Sequence, residues 1–223
     1  MGESLQIGTH GMHCIGSWLA RPRGTPKGGV VIAQEIFGVN AHIRSVVERF
    51  AGLGYVAIAP AFFDHVESGV ELGYDEAGVA RGRQLIAEIG LDCAVHDVAA
   101  AAAAIRSAGR VGVVGYCWGG TVALLAATRL GLPAVSYYGA RNVAFLDEPT
   151  QAPVQFHFGE RDASIPQEAV ERHRVALPEA ELYLYAAGHG FHCDQRADFD
   201  AASADLALQR TLAFLDRHLA GTA

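Results

Sequence analysis

The sequence predicts an α/β fold: a mostly parallel central sheet, helices on both of its faces and an antiparallel hairpin at its N-terminal edge. Three observations carry this expectation. Apolar runs of strand length alternate with segments of helix length along the chain. Several of those runs are apolar almost without interruption, as strands covered on both faces are. The 223 residues are 51% hydrophobic and 18% charged, which suits a single large domain, residues 1–223, better than two small ones. A chain of this length buries roughly 70% of its unfolded surface, so the core needs no staple.

The elements follow in order. Residues 5–7 and 13–20 read as short strands around Gly8-Thr9-His10-Gly11, the edge hairpin. Residues 21–28 hold two prolines, two glycines and three basic residues, and read as a loop. Residues 29–34 form a buried strand that ends in Glu35-Ile36-Phe37-Gly38-Val39-Asn40. Asn40 can cap a helix running to Leu53, with Gly54 as its stop. Residues 55–59, closed by Pro60, complete a strand–helix–strand unit. Residues 61–78 are irregular, aromatic and acidic. They follow the carboxyl end of a strand, where open α/β sheets bind ligands, so they read either as a pocket wall or lid or as a plain surface loop. Residues 79–89, which carry Arg81 and Arg83, and the alanine-rich residues 91–108 read as two helices. A strand at 110–115 and a helix at 121–130 bracket the turn Gly115-Tyr116-Cys117-Trp118-Gly119-Gly120. Strands at 134–138, 151–159 and 182–185 follow, with a helix at 166–176 that has Pro166 at its first position, and an amphipathic helix closes the chain at 201–219. There is no internal repeat and no linker.

Charge and cysteine usage exclude several function classes. The net charge of −7 argues against nucleic acid and anionic membrane as partners, while leaving room for a local basic pocket that takes a small anion. Cys14, Cys93, Cys117 and Cys193 form no C-x-x-C pair, which implies free thiols in a reducing, cytoplasmic setting. Residues 1–10 lack the basic and apolar regions of a signal peptide, and no run approaches the ~20 apolar residues of a membrane span. Nothing marks an obligate interface, so a monomer is the default and a weak dimer the alternative.

The turn at residues 115–120 is a strand, a sharp bend and a helix around a G-x-C-x-G core. That is the nucleophile elbow of the α/β-hydrolase fold with cysteine in place of the usual serine, or else a strand-to-helix turn around a buried structural cysteine. The glycines let the bend close, and the bend lifts the Cys117 sulfur to the top of the sheet beside the first N–H groups of a helix.

Two further polar residues fall just past predicted strands, Asp162 and then His189, which gives the nucleophile–acid–base order of that fold. A neutral imidazole titrates near 6.5 and can take the thiol proton, and a carboxylate can fix its tautomer and stabilise its cation. An imidazolium and a helix N-terminus both favour the thiolate that does the attacking. Backbone N–H groups of Trp118 and, from the loop after the 29–34 strand, Ile36 would hold the oxyanion. Taken singly, Asp162 could cap the 166–176 helix and His189 could be a satisfied loop histidine; together, three strand ends deliver matching residue types in one order. His157, His96 and His218 fall inside elements and are poorly placed as bases. His192 and Cys193 invite a metal reading, but no third ligand lies near them in sequence, so neither a metal nor a cofactor is expected.

Nearly the whole chain resembles the dienelactone hydrolase (carboxymethylenebutenolidase-like) family, a cysteine branch of the α/β-hydrolases. The resemblance rests on residues 34–40, residues 115–120, Gly159-Glu160-Arg161-Asp162 and Gly188-His189-Gly190-Phe191. It implies Cys117 as nucleophile, His189 as base and Asp162 as its partner. It also implies that Glu35 lies beside the thiol and helps switch it between resting and activated forms. In the family an arginine four residues after the histidine binds a substrate carboxylate; here that position is Cys193, with Arg196 three residues further on. A second carboxylate-binding arginine corresponds to Arg81, with Arg83 as the competing candidate. The expected substrate is a small ester or lactone, including carboxylate-bearing ones, cleaved through an acyl thioester. The alternative is a non-hydrolytic thiol-based binding or redox-responsive module on the same scaffold.

Overall fold

A computed structural model describes residues 2–9 and 13–219. Its eight strands form one sheet in the order β1-β2-β4-β3-β5-β6-β7-β8. The edge pair β1 (Glu3–Gly8) and β2 (Cys14–Ala20) is antiparallel, and β2 also runs antiparallel to β4 (Val56–Pro60). The hairpin was expected from sequence; His10 and Gly11 of its turn lie outside the described residues. From β4 onward all pairings are parallel, through β3 (Gly29–Ala33), β5 (Val111–Tyr116), β6 (Ala134–Tyr137), β7 (Val154–Gly159) and β8 (Glu181–Tyr185).

Parallel strands lie between helix layers, so both faces of the sheet interior must be apolar. Every residue of β3, β4, β6 and β7 is buried accordingly. Each fully buried valine, isoleucine or phenylalanine here contributes about 1.5–3 kcal/mol relative to exposure.

Among the described residues, five helices cover the sheet. Asn40 caps α1 (Ala41–Gly52) by accepting from the Ile43 N–H at 3.2 Å. The two helices expected at 79–89 and 91–108 are present as the two halves of α2 (Glu76–Ala104), which meet at Gly90. It starts earlier because Asp75 caps it, and it bends at Gly90, whose φ of 72° no helix allows. Arg106–Ala108 continue as a single 3-10 turn. The elbow helix α3 (Trp118–Arg129) begins three residues before the expected start. Two glycines in its first turn weaken the sequence signal for helix, yet they are what lets it dock: a Cβ on Gly119 would lie 2.3 Å from the Ala33 carbonyl oxygen, and one on Gly120 would lie 2.6 Å from that of Tyr137. Pro166 sits one position before α4 (Gln167–Ala176), in extended backbone, and not inside its first turn. α5 (Ala201–Leu219) spans the expected residues. No helix of the described residues is long and apolar enough to cross a membrane.

The loop at 61–78 walls a cavity other than the one at Cys117. Phe62–His65 form a 3-10 turn, and Gly38 bridges Glu71. None of residues 61–78 lines the cavity above Cys117; the first turns of α2 do so instead.

Candidate active site

Cys117 stands between β5 and α3 with φ 55° and ψ −117°. This is a sparsely populated conformation for a residue with a side chain and costs of order 1–3 kcal/mol. It is held by what surrounds it: the Cys117 N–H donates to the Tyr137 carbonyl at 3.0 Å, and a Cβ on Gly115 would lie 1.8 Å from the Gly119 carbonyl oxygen. The helix can therefore turn back over the strand end only with glycine at both positions. The bend aims the sulfur upward and leaves Trp118 as the first residue of α3, where a backbone N–H has no acceptor within its own helix.

The loops after β7 and β8 supply the partners of the sulfur. The His189 Nε2 lies 3.2 Å from the Cys117 Sγ, and its Nδ1 lies 2.7 Å from the Asp162 Oδ2. The other carboxylate oxygen of Asp162 accepts from the Ser164 N–H at 2.8 Å, so Asp162 turns its own loop and does not cap α4. An ionised carboxylate only accepts, so the Nδ1–H of His189 donates to it and Nε2 faces the sulfur. Burial by itself would lower the pKa of His189. The hydrogen bonds to Asp162 and to the Cys117 sulfur outweigh it and push the value up to about 10. The Tyr138 ring, held at φ 38°, packs 5.1 Å from the imidazole and helps seat it.

Glu35 is 1% exposed at the end of β3. Its Oε1 accepts from the Arg196 Nη1 at 3.0 Å, while Oε2 has no partner among the described residues. Arg196 also lies 5.9 Å from the Phe37 ring centroid. Burial lowers the Arg196 pKa, and chiefly the Glu35 charge raises it again to a net increase. Cys193, at the family's arginine position, does not reach the cavity. It is fully buried, and burial together with the Glu35 charge pushes its thiol up to about 11, which leaves it a neutral core residue.

Above Cys117 lies a cavity of about 310 Å³. Ile36 and Phe37 form one wall, Val79, Arg83 and Ile86 of α2 another, and Ala140, Arg141 and Ser164 the side opposite. Cys117, Trp118, His189 and Arg196 complete it. Of the residues expected at the site, Cys117, Asp162, His189, Glu35, Ile36, Trp118 and Arg196 thus converge. Arg81 does not: it pairs with Glu67 at 2.7 Å and bonds Gln84, away from the cavity that Arg83 lines. Arg141 was not singled out from sequence, although it falls just past the β6 strand, the same signal that marked Asp162 and His189.

Among the described residues, two groups of side chains bring donor atoms within 4.8 Å of one another, as a metal ion would require: Glu35, His42 and Cys193, and His65, Cys93 and Asp97. In the first, Arg196 holds Glu35 and Asp194 lies 3.2 Å from the Nδ1 of His42. In the second, the His65 Nε2 lies within 3.0 Å of both oxygens of Asp97. These contacts leave the Glu35 Oε2 and the His42 Nε2 without a partner among the described residues. His192, which the sequence paired with Cys193, instead stacks on Tyr116 with centroids 5.4 Å apart, and burial lowers its pKa to about 3.

Comparison with known proteins gives a consistent result. A profile of the dienelactone hydrolase family matches residues 15–219. A candidate carboxymethylenebutenolidase of Synechocystis sp. is 36% identical over 221 residues, covering 88% of this chain and 89% of the relative. The carboxymethylenebutenolidase of Pseudomonas putida is 32% identical over 225 residues, covering 96% and 95%. Among solved structures, a candidate dienelactone hydrolase from Klebsiella pneumoniae has a TM-score of 0.85 at 31% identity, over 96% of this chain and 97% of that one.

Proposed function

The chain belongs to the dienelactone hydrolase family, with the α/β-hydrolase fold, and on that footing we propose that it cleaves a small ester or lactone through an acyl thioester on Cys117. One observation carries the reading: an elbow cysteine in strained backbone within 3.2 Å of an imidazole that is itself held by a buried carboxylate. These are the parts that nucleophilic acyl transfer needs.

The Cys117 Sγ attacks the acyl carbon with its proton already held on the His189 Nε2. The carbonyl oxygen takes up the negative charge under the backbone N–H groups of Trp118 and Ile36. The tetrahedral intermediate collapses, the C–O bond breaks, and the leaving oxygen recovers the proton from His189. Water then gives a proton to His189 and adds to the thioester, and collapse of that second intermediate frees the carboxylic acid and the Cys117 sulfur, with the proton left on His189. Asp162 holds the imidazole in one tautomer throughout and stabilises its charged form. In a lactone the leaving oxygen stays tethered, so a stabilised leaving group such as an enolate guards against re-closure.

Glu35 acts at the resting stage. Its unpartnered Oε2 accepts the Cys117 S–H when the thiol turns away from His189, and Arg196 on Oε1 keeps the carboxylate in place. Carboxylate recognition falls to Arg83 and Arg196, which line the cavity, and not to Arg81.

The test is turnover of activated aryl esters and enol lactones by the wild type and by Cys117→Ala. The variant should lose at least about a thousandfold in kcat/KM. Equal turnover by both proteins would refute the proposal.

A further inference from the structure

The chain as a whole carries a net charge of −7, yet among the described residues the cavity beside Cys117 is lined by three arginines, Arg83, Arg141 and Arg196, in addition to His189, and by no aspartate or glutamate. Glu35 partners Arg196 from below. The side chains of Arg83 and Arg141 have no ion-pair or hydrogen-bond partner among the described residues, whereas Arg81, on the same helix as Arg83, is paired with Glu67.

The topology divides these cations into two poles. In the strand order β3-β5-β6, Cys117 at the end of β5 has the β3 loop on one side and the β6 loop on the other. α2 packs directly over the β3 loop: a Cβ on Gly82 would lie 2.1 Å from the Ile36 carbonyl oxygen, so Arg83 next to it belongs to that side. Arg196 reaches the same side, since it bonds Glu35 at the end of β3 and lies against Phe37. Arg141 comes from the β6 loop, next to Ala140, and stands on the opposite side of the nucleophile. A carbonyl carbon placed on Cys117 therefore has cationic groups to its left and to its right, with Ile36, Phe37, Val79, Ile86 and Trp118 as the apolar lining between them.

We propose that the substrate is a dianion, an ester or lactone with one carboxylate on each side of the scissile C–O bond, one held by Arg83 and Arg196 and the other by Arg141. The proposal rests on the hydrolase reading and adds a second anionic subsite to it. Guanidinium–carboxylate pairs at the mouth of a low-dielectric cleft give both affinity and orientation, and they raise the encounter rate of an anion with an otherwise acidic molecule.

Four aryl esters test it. The acyl chain ends in methyl or in carboxylate, and the aryl leaving group carries a methyl ester or a free carboxylate, with rates normalised to the alkaline hydrolysis of each compound. The expected order of kcat/KM is doubly charged, then singly charged, then neutral, each carboxylate adding about tenfold. Arg141→Gln removes the gain from one end of the substrate and Arg83→Gln the gain from the other. Arg106→Gln, on the 3-10 turn at the opposite edge of the sheet, leaves all four ratios unchanged, which separates a local contact from loss of net charge. The advantage of the doubly charged ester also falls most steeply with added salt. If the neutral ester is turned over as well as the doubly charged one, or if both arginine variants erase the same increment, the two-pole proposal fails while hydrolysis stands. Turnover of none of the four would remove the hydrolase reading beneath it as well.

Discussion

His189 illustrates how a few contacts set the chemistry of one residue. Burial pulls its pKa down, and the bonds to Asp162 and the Cys117 sulfur carry it up to about 10. The imidazolium that the proposed mechanism uses to protonate the leaving oxygen is thus retained well past neutrality. The expected pH profile of kcat/KM has its alkaline limb near pH 10, and Asp162→Asn, which removes one of the two raising contacts, moves that limb to lower pH. A wild-type limb near the ordinary histidine value of about 6.5 would contradict this. At this scale the sequence was legible wherever a candidate site residue follows an apolar strand: Cys117, Asp162 and His189, which the structure brings into contact, are all of that kind. It was less so on α2. Arg81 and Arg83 point about 200° apart around a helix, and which of them meets the cavity depends on Gly82 docking against the Ile36 carbonyl, a tertiary contact with no local signature. Cys193 and Arg196 are a similar pair, because the path of the loop after His189 decides that Arg196, and not Cys193, lines the cavity.

The elbow shows the same limit one level up. Gly119 and Gly120 read locally as helix breakers, whereas in the fold they are the residues that let α3 lie on the ends of β3 and β6. The atoms a new Cβ would meet at Gly119 are backbone oxygens of Ala33 and Gln34, at 2.3 and 2.4 Å, and backbone cannot swing aside. Gly119→Ala is expected to cost about 1–3 kcal/mol in urea unfolding. It should lower kcat/KM further than the lost folded fraction explains, since the same shift moves the Trp118 N–H. A change within about 0.5 kcal/mol together with full activity would show that the helix has room to move. Behind the elbow, Tyr116, Tyr137, His157 and Tyr183 are cross-strand partners in register on β5 through β8. They stack with centroids 4.8, 4.5 and 5.7 Å apart, which gives the strand that carries Cys117 a stiff backing. Period and hydropathy marked these segments as strands; the ladder appears only once register is known.

For the molecule as a whole, alternation of strands and helices was enough to anticipate the parallel sheet and its antiparallel edge, because burial on two faces leaves a continuous apolar run that few other structures produce. The loop at 61–78 escaped, since aromatic and acidic composition describes a pocket wall and a packed surface turn equally well. The buried histidines set the stability profile. His157 bonds Gln155 and Tyr185, His173 bonds the Ala169 carbonyl, and His192 stacks on Tyr116; burial lowers the pKa of all three. Between those lowered values and about 6.5 the unfolded chain binds protons that the folded chain does not. Stability therefore falls as pH drops below about 6.5, by up to about 1.4 kcal/mol per pH unit for each histidine. His189 works in the other direction: its raised value stabilises the fold below about 6.5, and that contribution is lost as pH rises toward 10. Urea unfolding across this range should show a maximum near neutrality and a steep acid side. A flat acid side would mean that these histidines become charged without unfolding the protein.

The central claim is that Cys117 carries the acyl group between attack and release. Acid-quenched turnover of a slow aryl ester, followed by peptide mass spectrometry, reads it directly. The expected result is an added acyl mass on the peptide containing Cys117, formed at the rate at which the phenol is released and absent from Cys117→Ala. Steady turnover with no acyl mass on Cys117, or with that mass on another residue, would contradict it.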